Sequence, residues 1–486
     1  MKISVNDMMA TSGVGFGTSG ARGLVSQMTD LVCYSYTYAF LSYCEKNYPS
    51  ERTVAIAGDL RPSTGRILRA VASAAVDKNW KVVYGGRIPS PAIALYGIEK
   101  SIPTVMVTGS HIPADRNGIK FNHPQGEISK KDESGIRGET FEVDSAKFRE
   151  NGSLENPAEL PAEDSSAREI YERRYLEFFG SDALSGLSVG MYQHSAVGRD
   201  IITGILKKLG AFVVPLGRSE EFIPVDTEAV RPEDVALGEK WAKNGLDAIV
   251  STDGDSDRPL LADAAGKWIR GDVLGILAAK ALGIDRIATP VSCNTALEKC
   301  GFFERTLRTR IGSPYVIAGM QALEAPGKTV AGYEANGGFL LETDISLGGK
   351  TLGALPTRDA LLPQLAVLAE AKKERVGVED LFEALPKRFT ASDRIKEFPT
   401  EKSRKKVDEI AEGNLGETYF GAISGKIAST DSTDGYRMTF ENGDVIHLRP
   451  SGNAPELRCY VECASADRAE EIKEKVLAVM RSWKKA

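Results

Sequence analysis

Only six cysteines occur in the 486 residues (33, 44, 293, 300, 459 and 463), and no two are spaced as Cys-x-x-Cys. That spacing excludes the common zinc and dithiol motifs. The cysteines lie mostly in apolar patterns, as free thiols in a reducing cytoplasm would. No apolar run approaches the roughly 18 residues that cross a bilayer. The opening Met1-Lys2-Ile3-Ser4-Val5-Asn6-Asp7 also lacks the apolar core of a secretion signal. We therefore expect a cytoplasmic chain without a membrane partner. Positive charge is in deficit: 61 Lys and Arg against 67 Asp and Glu leave a net charge of −6. Such a balance excludes a general nucleic-acid binder, although a few converging Arg and Lys can still hold an anion. What is present is ordinary for a folded chain: 42% hydrophobic and 26% charged residues. The length allows about three or four domains. Glycine is rich, 48 residues, against a usual ~7%, and much of the excess follows apolar runs.

One supersecondary pattern recurs. Thr53-Val54-Ala55-Ile56-Ala57-Gly58 reads as a buried strand; a helix over 66–76 and a strand over 81–84 follow. A second copy opens at 187–192, with a helix over 200–209 and a strand over 211–214. A weaker third copy opens at 286–291, with a helix near 296–300. This alternation predicts βαβ units. Each copy then delivers another apolar strand that ends in a polar loop. Thr104-Val105-Met106-Val107 leads into 108–111, Ala248-Ile249-Val250 into 253–257, and Thr329-Val330-Ala331 into 332–337. Ligands of open α/β sheets bind beyond the carboxyl ends of strands, so three equivalent loops predict one shared cleft. The C-terminal part differs. Segments 436–440 and 445–449 flank Glu441-Asn442-Gly443-Asp444, an Asn-Gly hairpin signal. A strand over 457–463 and a helix from near Ser465 to about Trp483 complete a small α+β domain. The charge-rich stretch 125–168 reads as solvated surface excursions and the first domain junction.

Three motifs carry chemistry. Asp253, Asp255 and Asp257 alternate at a strand end, where alternate residues can turn three carboxylates to one point. Such carboxylates repel unless a cation sits among them, and hard oxygen donors select Mg²⁺, Ca²⁺ or Mn²⁺. An EF-hand is excluded because Arg258 and Ala264 occupy its Gly and Glu positions; an acidic surface turn is the alternative. Ser110, within Thr108-Gly109-Ser110-His111-Ile112-Pro113, follows a buried strand at a turn that would expose its hydroxyl. Arg449-Pro450-Ser451-Gly452-Asn453 offers a guanidinium fork, a hydroxyl, an amide and open backbone, a set suited to phosphate. An ordinary turn is the alternative for each. Two further patterns fail: Gly15-Phe16-Gly17-Thr18-Ser19-Gly20 lacks a preceding strand of a βαβ unit, and Gly348-Gly349-Lys350-Thr351 has Asp344 where a P-loop needs Gly.

Five motifs in order are more specific than any one. Gly17-Thr18-Ser19-Gly20-Ala21-Arg22-Gly23, the Ser110 turn with Asn117-Gly118-Ile119-Lys120, the segment 253–258, Glu334-Ala335-Asn336-Gly337 and the segment 449–453 together resemble the α-D-phosphohexomutase family over essentially the whole chain. The resemblance implies an enzyme that interconverts hexose 1-phosphates and 6-phosphates through a phosphoserine and a hexose 1,6-bisphosphate. Ser110 matches the phosphoserine. Asp253, Asp255 and Asp257, with a phosphoserine oxygen, match the Mg²⁺ ligands. Arg22, Lys120 and Arg258 match residues around the moving phosphate. Glu334 and Asn336 lie in the sugar-recognition loop, and Arg449, Ser451 and Asn453 match the grip on the non-reacting phosphate.

Pattern and resemblance together predict three related α/β domains with mixed sheets, plus a smaller C-terminal α+β domain, around one central cleft. The divisions expected are 1–160, 161–268, 269–372 and 373–486. The partner expected is a small phosphosugar, and the assembly a monomer or homodimer. Departures from the motifs occur in the sugar, metal and phosphate loops, where Asn453 and Ala454 stand for the usual Thr and Glu, and bear on sugar preference more than on reaction type. Asn336 stands for the usual Ser, Gly338 for a frequent His, Gly312-Ser313-Pro314 for a segment that often carries His, and Ser256 for the central Gly of the metal loop. With those histidines missing, Lys120 is the candidate for proton transfer. Glucose and mannose phosphates are the expected substrates. Glucosamine or N-acetylglucosamine phosphate is the alternative, since Asn336 also resembles the phosphoacetylglucosamine mutases. A non-catalytic phosphosugar binder is the remote one.

Overall fold

The computed structural model describes residues 1–17, 20–48, 51–452 and 455–485. One sheet topology occurs three times, and the loop sequences between its strands are what vary. In the first domain, strands Lys81–Tyr84, Thr53–Gly58 and Thr104–Val107 run parallel in that spatial order, and Arg116–His123 adds antiparallel to the last. In the second, Phe212–Arg218, Ser188–His194 and Ala248–Thr252 are parallel, and Pro259–Ala262 adds antiparallel. In the third, Arg305–Thr309, Arg286–Pro290 and Val330–Tyr333 are parallel, and Phe339–Leu341 adds antiparallel. The predicted mixed α/β domains are therefore what the chain forms. The apolar runs are continuous because helices cover both faces of each parallel core. Helix Thr64–Asp77, for example, buries Ile67, Leu68, Val71, Ala74 and Ala75, the spacing of one helical face. The three functional loops share one place in this plan: each joins the third parallel strand to the antiparallel one.

The last domain is an antiparallel sheet in the order Phe389–Lys396, Glu456–Cys463, Val445–Pro450, Tyr436–Phe440 and Ile427–Asp431, backed by helix Ala466–Lys485. The Asn-Gly hairpin forms, with Gly443 at φ +84. This domain has its own apolar core, built on residues such as Phe398, Phe420, Ile446 and Val476. The second and third domains instead share one continuous core with helices Ser90–Lys100 and Ser166–Phe179. The fourth domain meets the third through polar contacts. Glu462 accepts from the Thr295 N–H at 3.0 Å and pairs with Arg388, and Asp434 Oδ2 accepts from the Ile311 N–H at 2.9 Å.

The stretch 125–168 departs from expectation. Much of it is structured: strand Gly126–Glu127, helix Lys130–Arg137 and strand Thr140–Glu142. A capping box between Ser129 and Asp132 starts the helix, and Ile128 and Ile136 bury against the first core. Only these few apolar residues anchor it, which is why its composition resembles solvated loop.

Two histidines are buried as neutral rings. His194 Nε2 donates to the Thr252 carbonyl at 2.8 Å, and His447 Nε2 to the Asp434 carbonyl at 2.6 Å. Burial pushes each from the usual 6.5 down to about 4. The unfolded chain binds these protons near pH 6.5 and the folded chain does not until about pH 4, so their contribution is intact above 6.5 and is lost as pH falls through that window. Each should remove on the order of 3 kcal/mol by pH 4. Melting temperature measured across this range should fall, and His447→Gln should make the fall shallower.

Candidate active site

The three aspartates converge in the loop between two strands. Strand Ala248–Thr252 stops before them and Pro259–Ala262 begins after them. The Asp253 N–H donates to the Arg258 carbonyl at 3.1 Å and closes the turn, with Ser256 at φ +58. That left-handed residue explains why the related motif usually has Gly here. Ser256 keeps the conformation with its hydroxyl, which accepts from the Gly198 N–H at 3.0 Å and from Thr252 Oγ1 at 2.9 Å. All three carboxylates are buried, with one oxygen from each within 4.8 Å of the others.

Cations from the neighbouring domains answer this charge. Lys120, on strand Arg116–His123, donates from Nζ to Asp255 Oδ2 and Asp257 Oδ2, each at 2.5 Å. Burial opposes its charge, but the two carboxylates outweigh burial and hold its pKa above the ordinary lysine value. Arg358, on strand Leu355–Asp359, donates from Nε to Asp257 Oδ2 at 3.1 Å. Burial works against ionised Asp257 too, yet Lys120, Arg358 and Arg258 hold it well below the usual carboxylate range. Asp253 goes the other way: burial, then the charges of Asp255 and Asp257, push it well above that range. Asp255 Oδ1 and Asp257 Oδ1 are buried without a hydrogen bond. Hard, partly unsatisfied oxygens around one point fit a divalent cation.

Ser110 faces this cluster. Its Oγ donates to Asp253 Oδ2 at 2.5 Å, its φ is +57 and the residue is fully buried. The turn that holds it was not legible in the sequence. Arg61 lies inside it, donating to the carbonyls of Ser110 (2.8 Å), Ile112 (2.5 Å), Pro113 (2.7 Å) and Arg116 (3.0 Å), while its Nε donates to Asp59 Oδ2 at 3.1 Å. Asp59 also accepts from Thr64 and Thr108 hydroxyls, and Thr108 Oγ1 in turn accepts from the Ser110 N–H at 2.8 Å. A Cβ at Gly109 would stand 2.7 Å from Arg61 Cζ, so only glycine admits this clamp. From the second domain, Arg258 Nη1 donates to His111 Nδ1 at 2.7 Å. Burial and the neighbouring Arg258 keep His111 neutral, well below its usual pKa. Arg22 sits among further cations; burial and then Arg258 push it down to about 10. A cation crowded by cations favours an incoming anion.

The sugar-loop candidates are also here. Glu334 is buried and accepts from Arg358 Nη1 at 3.3 Å. Asn336 Oδ1 accepts the Gly338 N–H at 2.9 Å, and the Asn336 carbonyl accepts from Thr227 Oγ1 at 2.7 Å. The phosphate-loop candidates stand apart, across a cleft of about 650 Å³. Gly17 and Lys130 of the first domain, Arg310 and Gly312 of the third, and Arg449 and Gly452 of the fourth line it. Arg449 Nε donates to Asp434 Oδ2 at 2.8 Å, and Ser451 is buried with its N–H on the Glu456 carbonyl. Asn453 lies outside the described residues. Ser110 and the aspartates do not line the cleft but connect to its wall through Arg358 and Lys120. Ser313, next to Gly312, accepts from Arg358 Nη1 at 3.3 Å, and Gly20, which closes the turn from Gly17, pairs with Lys120.

The comparisons settle the family. Residues 13–147 match phosphoglucomutase/phosphomannomutase alpha/beta/alpha domain I, 170–266 domain II, 270–389 domain III and 378–479 the C-terminal domain. A phosphomannomutase of Salmonella muenchen is 45% identical over 98% of this chain and 97% of its own. The chain belongs to the phosphoglucomutase/phosphomannomutase family. A phosphomannomutase of Sinorhizobium fredii is 42% identical, over 96% of this chain and 98% of that one. A solved phosphoglucomutase/phosphomannomutase family protein from Burkholderia thailandensis superposes with TM-score 0.72 at 19% identity, covering 99% of this chain and 98% of its own, and so shares the fold. Asp59, Arg61, Ser90 and Arg358 are the residues of this member that sequence reasoning missed. Ser90 Oγ donates to Asp255 Oδ2 at 2.5 Å.

The Arg61 clamp makes a direct prediction. Arg61→Met leaves Asp59 as an unpaired buried carboxylate and frees the carbonyls of the Ser110 turn. Urea unfolding should show a loss of about 3–5 kcal/mol. Amide exchange over 109–118 should quicken, whereas unchanged protection there would mean the turn holds itself.

Proposed function

We propose that this phosphohexomutase is Mg²⁺-dependent and interconverts mannose 1-phosphate and 6-phosphate, and the glucose pair by the same steps, with Ser110 as phosphoryl carrier. The observation that carries the reading is the Ser110 hydroxyl donating to Asp253, one of three buried carboxylates that converge. Asp253, Asp255 and Asp257 would hold Mg²⁺, which supplies charge neutralisation for the phosphoryl group on Ser110. In the forward step a sugar hydroxyl attacks the phosphoserine phosphorus, the bond to Ser110 Oγ breaks, and hexose 1,6-bisphosphate forms. After the intermediate turns around, its other phosphate passes back to Ser110 and the product leaves. The same bisphosphate added from outside would serve as activator by phosphorylating Ser110.

Little covalent assistance is needed in such a transfer; positioning and charge dominate. Arg22, Lys120 and Arg258 supply positive charge around Ser110. The sugar hydroxyl must give up a proton while Ser110 Oγ regains one, and Lys120 is our candidate for that exchange. Glu334 contacts the sugar hydroxyls. Arg449 and Ser451, and on the motif Asn453, grip the phosphate far from Ser110. The relatives from Salmonella muenchen and Sinorhizobium fredii are named phosphomannomutases, which supports mannose over an amino sugar. Asn336 points the same way: its amide oxygen holds the loop through Gly338 and so is engaged in backbone shape. No helix among the described residues is long and apolar enough to cross a membrane. We place the enzyme in a reducing cytoplasm, where its free cysteines fit, as a monomer or homodimer.

A coupled assay across mannose, glucose and glucosamine 1-phosphates tests the reading, with mannose and glucose expected to turn over fastest. Ser110→Ala should abolish turnover and remove a phosphate-sized increment from the intact mass. Exhaustive chelation should stop the reaction and Mg²⁺ restore it; undiminished turnover after chelation would sink the metal assignment. Arg449→Ala should lower kcat/KM roughly ten- to a hundredfold while leaving the phosphate on Ser110, since one charge-assisted grip is worth about 1.5–3 kcal/mol.

A further inference from the structure

We infer that Arg358 is a positioning residue that couples sugar recognition to the metal loop, and that Gly338 exists to admit it. The inference rests on the phosphohexomutase reading above and extends it to a residue that none of the five motifs contains.

Arg358 is buried between the two halves of the site. Its Nε donates to Asp257 Oδ2 at 3.1 Å, and its Nη1 donates to Glu334 Oε2 at 3.3 Å and to the Ser313 hydroxyl at 3.3 Å. One planar fork thus spans a carboxylate of the metal loop and the carboxylate of the sugar loop, which belong to different domains. Ammonium could not do the same, because its donors lack the fork's fixed geometry.

The strand that carries Arg358 is fixed on both sides. Thr357 Oγ1 donates to Glu127 Oε1 at 2.6 Å, and the same carboxylate accepts from Ser313 at 2.7 Å through its other oxygen. The next residue, Asp359, takes the hydroxyls of Tyr171 and Tyr175. Between these anchors the Arg358 side chain has one path, and it runs directly over Gly338. A Cβ built at Gly338 would stand 2.7 Å from both Arg358 Cγ and Cδ. The Gly338 N–H is itself held by Asn336 Oδ1, so the backbone cannot retreat without breaking the sugar loop.

The consequence is a shared restraint. Glu334 would keep its orientation toward the sugar only while Arg358 holds it, and Arg358 holds it with the same guanidinium that contacts Asp257. Removing the fork should therefore disturb two parameters at once: the KM for hexose 1-phosphate and the Mg²⁺ half-saturation, read by the Mg²⁺-induced rise in melting temperature as well as by rate. A role in stability alone would move neither.

The test uses the full-length enzyme and three substitutions. Arg358→Met should raise KM about tenfold or more and raise the Mg²⁺ half-saturation, with kcat falling less than KM rises. Arg358→Lys retains the charge but reaches one carboxylate at a time, so it should rescue one parameter and not both. Gly338→Ala, which leaves every polar group in place, should reproduce the Arg358→Met pattern. Should Arg358→Met fold poorly, as melting would reveal, Arg358→Lys and Gly338→Ala carry the decision. Variants with wild-type KM and wild-type Mg²⁺ dependence would overturn the coupling while the mutase reading stands. Absence of hexose-phosphate turnover in the wild-type enzyme would remove that reading itself.

Discussion

Three carboxylates share one buried point, and most of the chain's long-range organisation answers that fact. Unpaired, buried charges of this kind would cost several kcal/mol each. The second domain supplies the aspartates, but their compensating cations come from elsewhere: Lys120 from the first domain and Arg358 from the third, with Arg258 beside them in the loop itself. Neutralising the cluster therefore means assembling three domains around it. The same arrangement gives the site its chemistry. A negative centre ringed by cations can take a hard metal ion on one side and a phosphoryl group on the other.

Rigidity at Ser110 has a separate origin. Arg61 is the main acceptor-satisfying element of the turn, donating to the carbonyls of Ser110, Ile112, Pro113 and Arg116. Asp59 fixes Arg61, and Thr108 links Asp59 to the Ser110 N–H. The serine is held in a left-handed conformation by this chain of contacts. The fourth domain obeys another logic. Its core is self-contained, and it meets the third domain through Glu462 and Asp434. It can thus present Arg449 to the cleft without sharing the packing that fixes the other three.

The fold was legible because its signals are local. Apolar runs of strand length, helical spacing in 64–77 and an Asn-Gly turn each declare themselves within a few residues. The functional loops were legible for a related reason: they follow the third strand of each repeat, where short polar segments interrupt apolar sequence. The supporting residues left no such trace. Arg61 acts on carbonyls roughly fifty residues away, and carbonyl acceptors have no side-chain signature. Arg358 sits in Leu355–Asp359, a strand whose meaning depends on Gly338 and Asp257 in other segments. Helix Lys130–Arg137 was hidden because a short polar helix with few buried residues has the composition of a loop. The aspartate loop is legible as a loop after a strand, but the left-handed turn at Ser256 that shapes it is not.

The placement of the three loops constrains how this architecture can diversify. Each is pinned at one end by a parallel strand and at the other by an antiparallel one, whose register decides which of its side chains face core or cleft. A slip of that register by one residue would turn the strand's faces over, moving Lys120 or the apolar side of Pro259–Ala262 to the wrong layer. Loop length itself is open, since the joining segments 108–115, 253–258 and 334–338 differ in length on one topology, whereas the register of the strands they join is not. New sugar preferences on this scaffold should therefore arise within the loops, while the paired strands on either side keep their register.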